Sequence, residues 1–245
     1  MGLQSGPRSS SMRAVSHIHF IGGEKGGVGK SVFARVLAQW FIDRSVPFAA
    51  IDADLSHGAL LRYYADYTQA IDLGSVENAD QIMDRALGSE RRVLVDLPAQ
   101  SARSLLGWME EAAVVAFARD MGVGLSLWQV TDGGFASLSE IERALSRLKG
   151  EVKHYVVKNH GRSKDFGQWE ESKAKRMLEE LGGKAIDLPE LEAGAMYKVD
   201  RFGASFWAAI HRSDGEHALK PLERQRVKLW LERAHAEVER VADQL

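Results

Sequence analysis

The chain has 245 residues, with 32 lysines and arginines against 34 aspartates and glutamates and a formal net charge of −2. Hydrophobic residues make up 45% and charged residues 27%, the balance of an ordinary globular protein, which excludes a disordered chain, a collagen and a coiled-coil rod. There is no cysteine, so disulfides, thiolate zinc sites, iron–sulfur clusters and cysteine nucleophiles are excluded.

Residues 1–13 are polar and contain no apolar segment, so they do not form a secretory signal. We expect a disordered leader or a remnant of cloning there, with Met12 as the native start. No stretch reaches the roughly 18 apolar residues of a membrane span, and a cytoplasmic location is expected. Residues 14–245 are predicted to form a single domain, because no linker rich in proline and glycine divides them.

Short apolar segments alternate with helical patterns along the rest of the chain. Segments without strict alternation are typical of strands covered on both faces. The order predicts a doubly wound α/β fold with a mostly parallel sheet and helices on both faces. The predicted strands are His17–Gly22, Phe48–Ala53, Arg92–Asp96, Gly124–Val130, Val152–Lys158 and Ala185–Leu188, and the predicted helices are Gly29–Arg44, Asn78–Leu87, Ser101–Arg119, Ala136–Lys149 and Trp169–Leu181.

A further helix is predicted over Leu219–Leu245, with Pro221 in its first turn. Apolar residues at three- and four-residue spacings form one stripe along it. We favour packing of this stripe on the domain over a membrane-surface helix, because a lipid-binding face would be more uniformly basic. The stripe consists of Val227, Trp230, Leu231, Ala234, Val238 and Val241.

The segment Gly22–Ser31, with the sequence GGEKGGVGKS, is interpreted as the phosphate-loop pattern GxxxxGK[ST]. It opens at Gly23 and closes with Gly29, Lys30 and Ser31, directly after a predicted strand and before a helix. Its glycines let the backbone aim N–H groups at phosphate oxygens, and the following helix adds its positive end. Lys30 can reach the β- and γ-phosphates, and the Ser31 hydroxyl can ligate Mg²⁺.

Lys25 places a second cation inside the loop, in the form KGGVGKS. Such a cation has an electrostatic cost unless it meets an anion, and Lys30 already serves the loop's own phosphates. We hypothesise that Lys25 reaches a nucleotide across a dimer interface, as an arginine finger acts in trans. The alternative is a solvated loop lysine.

KGGVGKS, followed by IDAD at 51–54 and VLVDLPA at 93–99, resembles the deviant Walker A ATPases of the ParA/MinD type. The resemblance covers roughly residues 17–211. It implies a P-loop NTPase of the SIMIBI class that binds ATP and Mg²⁺, forms an ATP-dependent homodimer, and hydrolyses ATP to release it. The nucleotide would be held by Gly23, Glu24, Lys25, Gly26, Gly27, Val28, Gly29, Lys30 and Ser31.

Two carboxylates, Asp52 and Asp54, end the second predicted strand, at the sheet edge where ligands bind in this architecture. The resemblance makes Asp54 the switch I carboxylate that orients the attacking water, and places Asp52 near Mg²⁺ or its waters. The alternative is a pair that caps the next helix. Many relatives have Pro and Gln after the second aspartate, where this chain has Leu55 and Ser56.

Asp96 ends the apolar run RVLVD. A carboxylate at the end of a buried strand is costly unless it meets a cation or hydrogen-bond donors, and Mg²⁺ through a bound water is a natural partner. This is the Walker B position, and Leu97–Arg103 would be switch II. The alternative is a structural cap on the following helix. Lys25 and Lys30, with Mg²⁺ and the loop N–H groups, would stabilise the charge that develops at the γ-phosphate.

A base pocket is predicted around Asn159 and Pro189. The Asn159 amide both donates and accepts, which suits an adenine edge. In the ParA/MinD family a polar residue after this strand contacts the base, and the loop after the next strand, here with Pro189, closes over it. The alternative for Asn159 is a turn residue.

We therefore predict a switch ATPase that positions or segregates a cargo, in plasmid or chromosome partition or in placement of a cellular machine. One alternative is a conjugation or mobilisation accessory ATPase acting through a protein partner, and another is an ATP-dependent carboxylate-activating synthetase on the same fold. An activating protein partner is expected. Non-specific DNA is a candidate scaffold, through basic clusters at 160–164 and 198–201, and a membrane is less favoured.

Overall fold

The computed structural model describes residues 16–23, 25–88 and 92–242. Seven strands form one sheet in the order β3-β2-β4-β1-β5-β6-β7, and every neighbouring pair is parallel. The strands are β1 His17–Gly22, β2 Phe48–Asp52, β3 Thr68–Ala70, β4 Arg92–Asp96, β5 Gly124–Thr131, β6 Lys153–Asn159 and β7 Lys184–Leu188. The predicted doubly wound α/β fold is confirmed.

Helices cover both faces of the sheet. On one face lie α1 Lys30–Asp43, α2 Ala59–Tyr63, α9 Ala193–Phe202, α10 Phe206–His211 and α11 Pro221–Glu239. On the other lie α3 Val76–Leu87, α4 Ala102–Glu111, α5 Val114–Asp120, α6 Phe135–Leu148, α7 Gly167–Glu171 and α8 Lys173–Glu180.

The two faces share the strand residues alternately. In β5, Trp128 and Val130 pack on the α1 side, while Leu125 and Leu127 pack on the α4 side. Because successive side chains of a strand point to opposite faces, a strand covered on both sides must be apolar throughout. This explains why the predicted strands lacked strict alternation.

Two predicted helices were wrong as single elements. The stretch Ser101–Arg119 divides into α4 and α5 at Ala113, which has a left-handed φ of 47°. The stretch Trp169–Leu181 divides at Ser172, which is extended and accepts a hydrogen bond from the Lys175 N–H as the cap of α8. In both places the helical pattern continues through the break, so only the backbone angles reveal it.

Strand β3 and helices α2, α9 and α10 were not predicted. Strand β3 has only three residues, is polar, and lies at the sheet edge beside β2. Helices α2 and α10 have five and six residues, which is too short for a clear periodic pattern. Strand β3 pairs with β2, and α10 packs on α1 and α11.

The last long helix packs on the domain, as predicted. All six residues of the stripe are buried, and α11 contacts α1, α9, α10 and β7. Trp128, Trp169 and Trp230 lie in the core, whereas Trp207 of α10 is half exposed and stacks on His211. The described helices include none long and apolar enough to cross a bilayer. The predicted leader 1–13 lies outside the described residues, and the single-domain division stays a prediction.

Candidate functional site

The carboxyl edge of the central strands gathers most of the predicted site. The phosphate loop follows β1, Asp52 ends β2, Asp96 ends β4 and Asn159 ends β6. Asp96 pairs in register with Ile21 on one side and Asp52 on the other. Residues separated by 65 positions or more in the sequence, such as Ser31 and Asp96, therefore meet at one edge of the sheet, where open α/β sheets bind ligands.

Two glycines give the phosphate loop its backbone path. Gly23 has a φ of 151°, and a Cβ at this position would lie 2.7 Å from the Val130 carbonyl oxygen. Gly29 has a φ of 103°, and a Cβ there would lie 2.2 Å from the Asn159 amide nitrogen. Other residues disfavour such angles and would collide with these neighbours, so the loop requires glycine at both positions.

The loop is one residue longer than the pattern GxxxxGK[ST] requires when it is counted from Gly23. The opening glycine of that pattern would stand at position 24, where this chain has Glu24. Glu24 lies outside the described residues, so its predicted nucleotide contact stays a prediction. Gly26 and Gly27 are exposed, as is Lys25, and Val28 is buried.

Lys30 and Ser31 begin helix α1 directly after Gly29. Lys30 is 7% exposed, and its ammonium donates to the Lys25 carbonyl oxygen at 3.4 Å. The first N–H groups of a helix have no partner inside it, and α1 has no side-chain cap. This helix end therefore offers N–H donors and a cation to an anion.

Asp96 is a buried carboxylate whose oxygens lack well-placed hydrogen-bond donors among the described residues. It is 0% exposed, and neither of its oxygens has a well-formed hydrogen bond among the described residues. Burial raises the pKa of Asp96 to about 7, while the nearby Ser31 hydroxyl and Lys30 ammonium oppose the rise and Asp52 adds to it. Such a group is costly in a dry interior unless a cation balances it.

Asp52 is also buried, but its oxygens are used by the backbone. One accepts from the Asp54 N–H at 3.1 Å, and the other from the Leu61 N–H at 3.0 Å. Burial raises the pKa of Asp52, and these hydrogen bonds oppose the rise. Asp52 thus fixes the segment between β2 and α2, and its predicted place near Mg²⁺ stays a prediction.

Asp54 lies on that segment and is more accessible, with 22% of its side chain exposed. Its carboxylate accepts from the Ser56 N–H at 3.1 Å and the His57 N–H at 3.0 Å. One of its oxygens is held in place while the group remains open to water. The predicted water-orienting role of Asp54 stays a prediction.

The donor set at this edge fits a magnesium ion. The described residues hold no group of three or more histidine, aspartate or glutamate side chains that could bind a metal by themselves. Mg²⁺ characteristically takes one or two protein oxygens and fills its shell with phosphate oxygens and waters. The Ser31 hydroxyl and the unmet Asp96 oxygens supply what such an ion requires.

Lys25 is held by an acid of its own chain. Its ammonium lies 2.5 Å from a carboxylate oxygen of Asp132, which directly follows β5. The other Asp132 oxygen accepts from the Gly134 N–H and the Ser137 hydroxyl. Burial alone would raise the pKa of Asp132, but these bonds and Lys25 lower it below its ordinary range. More than half of the Lys25 side chain is exposed, so it stays within reach of another anion.

Asn159 joins the end of β6 to the phosphate loop. Its amide nitrogen donates to the Val28 carbonyl oxygen at 2.7 Å, and its amide oxygen accepts from the Gly161 N–H at 2.9 Å. Both ends of the amide are therefore engaged with the backbone, and adenine contact stays a prediction. Pro189 lies beside Asn159 after β7, and its carbonyl oxygen accepts from the Trp230 indole at 2.8 Å.

The two basic clusters are partly neutralised. His160 pairs with Asp187 at 2.5 Å, and Lys164 pairs with Glu190. In the second cluster, Lys198 pairs with Glu223. These contacts favour ordinary solvated surface at both places.

Asp132 is the residue of this edge that sequence reasoning missed. The signal was present, because Asp132 directly follows an apolar strand and precedes two glycines, much as Asp52 and Asp96 stand at the ends of theirs. Its contact with Lys25 spans 107 positions and needed the parallel order β1-β5 to appear.

Comparison with known proteins gives distant matches. No protein-family model matches the chain. It is similar to the protein MobD of Acidithiobacillus ferrooxidans, with 23% identity over 180 residues, 71% of this chain and 78% of MobD. It is also similar to the protein TraL of Escherichia coli, with 26% identity over 132 residues, and this match spans about half of each chain, 52% and 55%.

Solved structures share the fold. The cell division ATPase MinD of Pyrococcus furiosus superposes with a TM-score of 0.52 at 17% identity, over 92% of this chain and 99% of MinD. MinD of Aquifex aeolicus gives 0.51 at 13%, over 87% and 96%. A nucleotide-binding protein of Archaeoglobus fulgidus in complex with ADP gives 0.53 at 15%, over 78% and 87%. The chain has the MinD-type P-loop NTPase fold, which confirms the expected resemblance at the level of fold.

Proposed function

We propose that this protein is a nucleotide-switched ATPase of the ParA/MinD type, which binds ATP with Mg²⁺ at the loop 23–31 and hydrolyses it slowly without a partner. One observation carries the proposal. A glycine-rich loop with Lys30 and Ser31 at a helix start lies against a buried carboxylate, Asp96, whose oxygens have no well-formed hydrogen bond in the part of the chain that the structure describes. A phosphate–magnesium pair satisfies the loop N–H groups and this carboxylate together.

Each residue has a task in this proposal. Lys30 and the loop N–H groups hold the phosphates, Ser31 and Asp96 hold the ion and its waters, and Asp54 orients the attacking water. Lys25 leaves Asp132 and pairs with the nucleotide of a second copy, which makes the dimer depend on ATP. Bound Mg²⁺ supplies electrostatic stabilisation of charge on the phosphate oxygens.

The similarity to known proteins favours one cellular role. Likeness to MobD and TraL supports an accessory ATPase of conjugation or mobilisation, acting through a protein partner. Partition of DNA and placement of another cellular machine are alternative roles that would rely on the same ATP site. We propose the conjugation accessory role as the first candidate, in the cytoplasm.

The site is tested by Lys30→Ala. Loss of this ammonium should weaken ATP–Mg²⁺ binding by roughly tenfold to a hundredfold, from the 1.5–3 kcal/mol of a charged hydrogen bond. Titration calorimetry measures the affinity, and Lys173→Ala, an exposed lysine of α8, is the matched control. Tight ATP binding by Lys30→Ala would refute the phosphate-loop proposal.

The scaffold is tested with Asp54→Ala, which should hold ATP with little turnover. Its binding to non-specific duplex DNA is measured with ATP–Mg²⁺ and with ADP–Mg²⁺ across a salt series. ATP-dependent binding that weakens steeply with salt would mean phosphate contacts by a dimer and favour DNA partition. Absence of binding in both states supports the protein-partner role. ATP consumption that requires a small carboxylate would favour the synthetase alternative instead.

A further inference from the structure

A cleft of about 930 Å³ lies between α4 and α6 and reaches the phosphate loop at Gly23. Gly22, Leu127 and Gln129 of the central strands line it, with residues of both helices. Its volume falls within the range of binding sites for ligands much larger than one side chain. Nothing in the proposed ATPase chemistry uses the part of this cleft that lies along α6.

Gln129 provides an unmet hydrogen-bond acceptor on the lining. The side chain is 7% exposed, and its amide oxygen has no hydrogen-bond partner among the described residues. A buried amide oxygen without a donor is costly, so an occupant that brings an N–H group gains a hydrogen bond there.

The charged residues of the lining are mainly basic. Four cations, Lys25, Arg103, Arg143 and Arg147, face one carboxylate, Glu140. This excess favours an occupant with negative charge.

Three of these cations already have acidic partners. Lys25 pairs with Asp132, while Arg143 and Arg147 pair with glutamates, Glu140 and Glu110. The arginine side chains are 69% and 49% exposed in these pairs. The Arg147–Glu110 pair is exposed at both ends and contributes little stability, so an incoming carboxylate can exchange with it at small cost. Glu140 is only 16% exposed, but the Arg143 guanidinium that pairs with it remains open to a second carboxylate.

Apolar surface accompanies the charge. Leu97, Leu105, Leu106 and Leu127 line the cleft, and the Phe135 ring at its rim is 81% exposed. Exposed aromatic rings beside a pocket are typical of the residues that dominate binding energy at protein interfaces.

We propose that this cleft docks an extended segment of a protein partner that carries both acidic and apolar side chains. Its backbone N–H groups meet the Gln129 oxygen, an apolar side chain lies on the leucines, and carboxylates pair with Arg103 and Arg143. A peptide supplies all three chemistries along one chain. The volume exceeds the needs of a single inserted side chain.

Docking would act on the proposed switch II. Leu97 directly follows Asp96 and lines the cleft, so an occupant touches the segment that carries the proposed magnesium carboxylate. This coupling rests on the proposed function, whereas the docking itself does not.

The test selects random twelve-residue peptides, displayed on phage, against the full-length protein, in parallel with ATP–Mg²⁺ and without nucleotide. Enriched peptides are labelled with fluorescein and titrated by anisotropy. We expect sequences that combine aspartate or glutamate with leucine, isoleucine or phenylalanine. Ser139→Trp, which fills the cleft from α6, should weaken their binding by about tenfold or more.

Ser146→Trp is the matched control, because Ser146 is exposed on the same helix outside the lining. The affinity of Ser146→Trp for the peptides should stay within about twofold of that of the unsubstituted protein. Arg143→Ala should lower the affinity for the peptides and make it less dependent on salt. Arg119→Ala on α5 should change neither the affinity nor its salt dependence. If circular dichroism shows that Ser139→Trp is misfolded, the arginine variants still test the proposal.

Basic consensus peptides, no enrichment, or equal binding by Ser139→Trp would overturn the proposal. Sedimentation without peptide shows whether the protein forms a dimer. If it does and Ser139→Trp disrupts that dimer, the cleft binds a second copy, and the proposal is overturned as well. ATP affinity is measured separately for each variant. Peptide docking in a protein that does not bind ATP would refute the proposed function and leave the docking site standing.

Discussion

Lys25 lies on the phosphate loop with its ammonium 2.5 Å from Asp132 of the same chain. The proposed role across a dimer requires it to leave this partner. The Lys25 side chain is 56% exposed and Asp132 is 16% exposed, so the ammonium can turn towards solvent while Asp132 keeps its hydrogen bonds from the Gly134 N–H and the Ser137 hydroxyl. A nucleotide phosphate also carries more charge than one carboxylate, which favours the exchange. The contact between Lys25 and Asp132 therefore defines a resting position from which the lysine can be recruited.

We predict that Lys25→Ala keeps ATP affinity within a few-fold but loses ATP-dependent dimerisation. Lys30 still serves the bound phosphates, while the second copy's nucleotide loses its cation. Titration calorimetry measures the affinity, and sedimentation velocity with ATP–Mg²⁺ measures the dimer. If Lys25→Ala forms a normal dimer with ATP, the proposed role of Lys25 at the nucleotide of the second copy is contradicted.

His17 gives a pH dependence at the amino end of β1. It is 6% exposed, its Nε2 lies 2.6 Å from the Ser126 hydroxyl, and burial, with Lys153 and Arg92, lowers its pKa from 6.5 to about 3. Below pH 6.5 the unfolded chain takes up a proton that the folded chain refuses. Folded stability is therefore lost as pH falls from 6.5 towards 3.

We predict that His17→Gln flattens this acid loss by about 2 kcal/mol between pH 6 and pH 4, because an amide keeps a polar contact without titrating. The free energy of unfolding is measured by urea denaturation at each pH. His211→Gln, at an exposed position of α10, is the control and should leave the slope unchanged. Parallel curves for the His17→Gln and unsubstituted proteins would contradict the assignment.

At the scale of elements, the join between the phosphate loop and α1 depends on tertiary contact. Gly29 adopts a φ of 103° and faces the Asn159 amide, which itself donates to the Val28 carbonyl oxygen. The end of β6 thus holds the loop in place. Sequence alone indicated a glycine here for flexibility, whereas the structure adds the close approach of a side chain from another strand.

We predict that Gly29→Ala costs about 2–4 kcal/mol of stability and abolishes tight ATP binding, because the methyl group meets both backbone strain and Asn159. Gly122→Ala is the matched control. Gly122 also has a positive φ, 69°, but a Cβ there meets nothing within 4 Å. It should cost only about 1 kcal/mol and leave ATP binding intact. Equal costs for the two variants in urea denaturation would contradict this account.

At the scale of the whole molecule, α11 closes one face of the domain. Its Trp230 packs on Phe206 of α10 with ring centroids 5.1 Å apart and donates to the Pro189 carbonyl oxygen after β7. One side chain thereby links the last helix, α10 and the loop predicted to close over the base. This link gives the C-terminal helix a structural part in the predicted base pocket.

We predict that Trp230→Ala lowers the free energy of unfolding by about 3–5 kcal/mol, the cost of a large cavity in a packed core. Leu229→Ala, at a neighbouring position that is 42% exposed, should cost less than about 1 kcal/mol. Urea denaturation measures both. A small loss for Trp230→Ala would mean that α11 is dispensable for this face.

Local residue patterns predicted the features that depend on neighbouring residues. The apolar runs of six strands, the loop KGGVGKS before a helix, and Asp52, Asp54 and Asp96 at strand ends are local patterns, because burial and phosphate binding constrain residue type along a short stretch. The alternation of strand and helix patterns also predicted the parallel sheet, because a helix between two strands connects them as parallel neighbours.

The remaining features depend on contacts between segments that are distant in the chain. Strand β3 pairs only because β2 offers an edge, and the predicted helix at 101–119 divides because Ala113 adopts a left-handed angle that its residue type does not signal. The pair of Lys25 and Asp132, the contact of Asn159 with Val28, and the cleft between α4 and α6 join positions far apart in the chain. Such contacts follow from strand order and helix placement, which no short stretch of sequence encodes.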